Sequence, residues 1–266
     1  MLKLMKYEFM KMRVTLLALV AGLIALEAGF LIGEATNRTA MMSVCLTLVL
    51  ILTFGVFAYL IIAGIVSYSQ ELRDKSGYLI FMTPVRPLGI VLSKLLFIAL
   101  VSLVAMALFG GASYLDIRHL IVRLDLDAKD LATINSMLRF GLRTNATLAQ
   151  ILQMVLLFAV MTLDQVLMTM CTAYLAITLS ATLLQNKKGF VRGLISVVLF
   201  ALLTWGAGWV TSKLTYGGVT IDESADWTVA IEQLRRGMGL GALVDLGFSA
   251  IFVAVSAWLL DRKVDL

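Results

Sequence analysis

Charge is what this chain has least of. Asp, Glu, Lys and Arg make up 15% of its 266 residues, while apolar side chains make up 61%; soluble domains carry about 25% and about 45–50%. With a mean hydropathy of +0.96, the chain lacks the polar surface that water would have to cover, which excludes a soluble fold. Only two prolines and two cysteines occur. Cys45 and Cys171 both sit in apolar runs, which argues against a disulfide framework and for two small packing residues. The single histidine, His119, excludes two-histidine metal sites such as H-E-x-x-H. It falls among charged residues, where it reads as solvated, so no apolar run offers the histidine of an intramembrane serine hydrolase. No G-x-x-x-x-G-K-[ST] is present to cradle nucleotide phosphates. These absences argue against catalysis, cofactor or metal chemistry by this chain alone.

What is present is a set of long apolar runs. A bilayer core of about 30 Å takes roughly 20 apolar residues of helix, and six runs meet that length, at about 14–33, 42–66, 88–114, 148–183, 194–210 and 239–260. The fifth is the shortest and has room to extend. Only helices suit such runs, because each backbone donor and acceptor must be satisfied without water. The expected fold class is therefore all-α and integral to the membrane, with residues 1–266 forming one six-span domain. The size leaves no room for a separate soluble domain.

Basic residues set the expected orientation. Lys3, Lys6, Lys11 and Arg13 precede the first span; Arg73, Lys75, Arg86 and Lys94 lie between the second and third. Lys187, Lys188 and Arg192 lie between the fourth and fifth, and Arg262 and Lys263 in the tail. Six spans place all four groups on one side, opposite Arg38 and two longer segments of nearly balanced charge. Positive residues stay cytoplasmic, so both termini are expected inside. The same bias accounts for the net charge of +5 without nucleic acid.

Residues 1–13 read as an amphipathic helix in the cytoplasmic interface. Leu2, Met5, Phe9 and Met12 recur at helical spacing, with Lys3, Lys6 and Arg13 off that stripe. A signal peptide shares the basic start, but the run here is long, contains Glu27 and lacks a clear small-x-small site. The outer segments 115–147 and 211–238 also carry helical signals. Asp127 suits the cap of a helix with Leu131, Ile134 and Leu138 on one face, and Asp226 that of another with Trp227, Ile231 and Leu234. Thr147 and Gln150 make a capping box before the fourth span.

Three acids lie within spans: Glu27, Asp164 beside Gln165, and Asp245. An ionisable group in lipid costs a few kcal/mol or more and normally faces a bundle interior or a wet cavity. These four polar residues mark either a translocation route or interhelical hydrogen bonds that fix packing. Ala21, Ala25 and Gly29 recur four apart on the first span, a spacing that lets helices approach closely.

The connection 67–87 is the most distinctive segment. A charged stretch containing Glu71, Arg73, Asp74 and Lys75 runs into Gly77, a helix terminator, and Tyr78. Thr83 then caps a new helix with Pro84 in its first position. A short charged helix, Lys75-x-Gly77-Tyr78 and an apolar stretch ending Thr83-Pro84, all between spans two and three, resemble the membrane subunits of ABC-2 type exporters. The amphipathic start, the six spans and the outer segment between spans five and six are similar too. The resemblance implies that Glu71, Arg73, Asp74, Lys75, Gly77 and Tyr78 belong to a cytoplasmic coupling helix that meets a separate P-loop ATPase. It also implies that ATP and Mg²⁺ are held by that partner, and that two permeases, identical or homologous, form the transporter. The long segment 115–147 departs from the tight turn of many members and leaves the substrate class open.

The expectation is a permease subunit of an ATP-driven exporter, multi-pass in a bacterial cytoplasmic membrane. Acids facing a route would suit a cationic or amphipathic peptide. A secondary transporter is one rival, since three plus three spans of opposite orientation permit inverted repeats. The paired Gly/Pro-interrupted spans that build midplane ion sites are missing, however. A non-transporting membrane scaffold or immunity protein is the other rival.

Overall fold

Apolar runs free of proline leave the backbone one economical way to pair its polar groups, and each run is helical in the computed structural model. The structure describes residues 2–36, 38–73, 87–123, 148–184, 189–216 and 227–262. They form α1 (Leu2–Ala35), α2 (Thr39–Arg73), α3 (Pro87–Arg123), α4 (Leu148–Leu183), α5 (Gly189–Tyr216) and α6 (Trp227–Arg262). By length and composition, all six are able to cross a membrane. No strand occurs among the described residues.

The helices outrun the apolar stretches that announce them. Residues 2–13, expected to lie in the interface, and the first span are continuous in a single helix of 34 residues. On that stripe Met12 is buried, but Phe9 is 52% exposed and the side chain hidden beside it is the acidic Glu8. The short fifth run extends to 28 residues. The flanks of both outer segments continue the spans, since α3 reaches Arg123 and α6 starts at Trp227. Asp127, Leu131, Ile134, Leu138, Thr147 and Asp226 lie outside the described residues, as do Thr83 and Pro84.

The chain divides into two units. One comprises Met1–Phe9, Tyr59–Leu100 and Val160–Leu266, with Leu60, Val91, Ile98, Met170 and Tyr174 among its fully buried side chains. Gly64 of α2 packs closely against two neighbouring helices here. A Cβ at that position would run into Ile98 Cδ1 of α3 and Met170 Cε of α4. The other unit comprises Met10–Ala58 and Val101–Ala159, where Phe30, Met42 and Cys45 form a small core with Met41 and Leu46. There α1 and α2 meet closely, because a Cβ on Gly29 would lie 3.1 Å from Cys45 Sγ and one on Gly33 3.2 Å from the Met42 backbone nitrogen. Of the small-residue stripe, Ala21 and Ala25 are exposed, and Gly29 serves this contact within the chain.

Large apolar side chains cover the outside. Phe54, Trp205 and Phe190 are 77%, 73% and 82% exposed, far beyond the scattered apolar surface of a soluble monomer, whereas Glu8, Lys94, Asp116 and Asp164 are buried. This inversion suits a chain whose solvent is hydrocarbon.

Packing at the two kinds of glycine generates a test. Gly64→Ala forces two buried side chains to move, and overpacking of this kind costs about 1–3 kcal/mol. Gly55, also on α2, has open space where its Cβ would go, so Gly55→Ala gains about 1 kcal/mol of helix propensity. Thermal unfolding in detergent micelles should show a lowered Tm for the first variant and an unchanged or raised Tm for the second. Equal responses would refute the close approach at Gly64.

Candidate functional site

Lys94 is the one basic residue inside the six apolar runs. It lies seven positions after the start of α3, and its side chain is 5% exposed. An ammonium so placed needs acceptors for three N–H donors, and the first unit supplies three. Glu8 Oε1 from α1 takes one in a close ion pair, Glu71 Oε1 from α2 takes another at 2.6 Å, and Ser67 Oγ accepts the third at 3.1 Å. Ser67 in turn donates to Glu8 Oε2 at 3.2 Å. The cluster thus ties α1, α2 and α3 together with one positive and two negative side chains.

An aromatic pair lies beside it on α2. Tyr68 stacks on Tyr174 of α4, with ring centroids 4.1 Å apart and planes 24° apart. The Thr178 hydroxyl donates to the Tyr174 carbonyl at 2.8 Å, so across the 2.7 Å contact between Tyr68 Oη and Thr178 Oγ1 it is Tyr68 that donates. The Tyr174 hydroxyl is buried without a hydrogen-bond partner, within electrostatic reach of Glu8 and Glu71. Ser67, Tyr68 and Glu71 are consecutive or one turn apart on α2. They bind that helix end to three others.

Of the expected coupling residues, Glu71 alone has a described side chain. Its carboxylate faces inward, to Lys94, and is 10% exposed. Arg73 is the last residue of α2, and Asp74, Lys75, Gly77 and Tyr78 lie outside the described residues.

The intramembrane acids separate into two places. In the first unit Asp164 of α4 and Asp245 of α6 interact electrostatically. Asp164 is 5% exposed and its Oδ1 has no hydrogen-bond partner; Asp245 Oδ1 accepts from Thr211 of α5 at 2.8 Å. Gln165, next to Asp164, points to the exposed side. Glu27 belongs to the other unit, where it interacts electrostatically with Asp116 of α3. Among the described residues no group of three or more His, Cys, Asp and Glu comes together to hold a metal ion.

Sequence reasoning missed Glu8 and Tyr174, took Ser67 and Tyr68 only as the start of the connection 67–87, and took Lys94 only as one of the basic loop residues. A signal was available. A lysine within an apolar run requires a partner, and Glu8 is the one acid in the first 26 residues.

No protein-family model, curated protein or solved structure matches the chain.

The cluster makes a quantitative prediction. Lys94→Met leaves two buried carboxylates without their cation, and removing one partner of a buried pair costs about 3–5 kcal/mol. Adding Glu8→Gln and Glu71→Gln removes the stranded charges and should restore most of the loss. Melting temperatures of the single and triple variants measure this. A single variant as stable as the parent would show that the ion cluster does not hold the helices.

Proposed function

We propose that this chain is the membrane-spanning permease half of an ABC-2 type exporter in a bacterial cytoplasmic membrane. It works as two copies, or with a homologue, beside a separate P-loop ATPase that carries ATP and Mg²⁺. Both termini face the cytoplasm, and the basic start of α1 lies at that surface. The observation that supports this reading is where the connection between α2 and α3 is anchored. Glu71, two residues from the end of α2, and Lys94, early in α3, are joined directly at 2.6 Å, and Glu8 is bound to the same ammonium. A force applied to residues 74–86 therefore reaches α1, α2 and α3 together, and α4 through the Tyr68–Tyr174 stack and the Tyr68–Thr178 hydrogen bond. That linkage fits a segment pushed by a partner better than a solvated loop.

In this mechanism ATP binding by the partner moves the coupling segment. Arg73, Asp74, Lys75, Gly77 and Tyr78 form the surface it meets, and Glu71 passes the displacement inward through Lys94. A buried ion cluster suits transmission, because its members cannot separate without stranding a charge in a poorly solvated interior. All six spans are unbroken helices, which favours this reading over a secondary transporter with discontinuous helices at its ion site.

A photocrosslinker at position 78 should capture a P-loop ATPase in native membranes, with a yield that changes when ATP is added, and the isolated chain should not hydrolyse ATP. Replacing residues 71–77 by Gly and Ser should abolish both the crosslink and transport. Robust hydrolysis by the isolated chain, or intact coupling after that replacement, would overturn the reading.

A further inference from the structure

In the first unit α3, α4 and α6 line an open cleft of about 440 Å³, a size typical of sites for drug-like molecules. Its walls are apolar, with Leu92 and Leu96 from α3, Leu167 from α4 and Val253 from α6; Cys171 and Ser249 are its few polar members. Ser249 is turned away in part, donating to Met168 Sδ at 3.5 Å. Leu167 follows Asp164 by three positions and Ser249 follows Asp245 by four. Residues three and four apart share a helix face, so each acid continues a stripe of the cleft wall without lining it, Asp164 about one 5.4 Å turn before Leu167 and Asp245 immediately before Leu246.

The acid end is short of positive charge. Asp164 and Asp245 interact electrostatically, the buried Asp164 Oδ1 has no hydrogen-bond partner, and Asp245 is met by the neutral Thr211 hydroxyl. Among the described residues no Lys or Arg pairs with either acid. An apolar cleft with two carboxylates just beyond one end complements a molecule that joins an apolar body to a positive charge. A phospholipid would bring its phosphate toward two acids, where like charge disfavours it.

We propose that this cleft binds a monovalent lipophilic cation, its apolar body between α3, α4 and α6 and its charge against Asp164 and Asp245. The assignment rests on the exporter reading for its role, since it names the substrate class of that route; the binding itself needs only this chain. Gln165, on the exposed side, takes no part.

The test uses the purified full chain in phosphatidylcholine nanodiscs, without an ATPase, and two ions of one shape and opposite charge, tetraphenylphosphonium and tetraphenylborate. The cation should bind saturably, at least about tenfold more tightly than the anion, because attraction at the acids reverses sign between them. Asp164→Asn and Asp245→Asn should each weaken the cation markedly and leave the anion unchanged. Ala250→Trp, a bulky change at an exposed position of the cleft wall, should weaken cation binding without touching the acids, and decides the matter if an acid variant fails to fold. Equal affinity for the two ions, or cation binding indifferent to all three substitutions, would overturn the site and leave the cleft to lipid or to a second copy of the chain. Loss of ATPase crosslinking with cation binding intact would instead sink the exporter reading alone.

Discussion

The contact on which the first unit depends is the one between the Lys94 ammonium and the carboxylates of Glu8 and Glu71. A lysine on an apolar helix has no water to turn to, and desolvating it costs several kcal/mol unless acceptors surround it. The acceptors come from two other helices, so the charge is satisfied only when α1, α2 and α3 converge at one end. Ser67 closes the remaining valence by accepting from Lys94 and donating to Glu8. Once α2 is held there, the next residue, Tyr68, is set against Tyr174, and its hydroxyl reaches Thr178.

Away from that cluster, close packing rather than charge does the organising. Where lipid tails are as apolar as leucine, helices gain little by hiding leucine and more by approaching closely. Gly64 in one unit and Gly29 with Gly33 in the other mark such approaches. The bulky residues point the other way, as Phe190 and Trp205 on α5 illustrate. Several buried hydroxyls on the helices close their own bonds to the preceding turn, as Thr172 does to the Met168 carbonyl at 2.7 Å, which lets small polar residues occupy the interior.

The acids illustrate how burial divides similar residues into different situations. Glu8 and Glu71 have a cation between them. Glu27 has a second carboxyl, Asp116, within electrostatic reach. Asp164 and Asp245 have each other and one threonine. On the proposed reading the first set carries mechanical force and the third meets a positive ligand. The difference between them is the presence or absence of a lysine.

The helical class and the number of long apolar helices are legible in the residues alone, because hydrocarbon permits few ways to satisfy a backbone and each run advertises its length. The sequence also marked Glu27, Asp164 and Asp245 as buried or paired, since charge in lipid is costly wherever it falls. It could not say how far each helix runs past its apolar core, because turns of helix outside the lipid need no hydropathy signal; α3 reaching Arg123 and α6 starting at Trp227 are examples. Nor could it say which partner each charge finds. Glu8, Glu71 and Lys94 are separated by 86 and 23 residues from the atoms they bind, and helical periodicity relates residues only within a helix. Glu71 reads in sequence as one more exposed charge beside Asp74 and Lys75, and the convergence of three helices on one ammonium is what turns it inward.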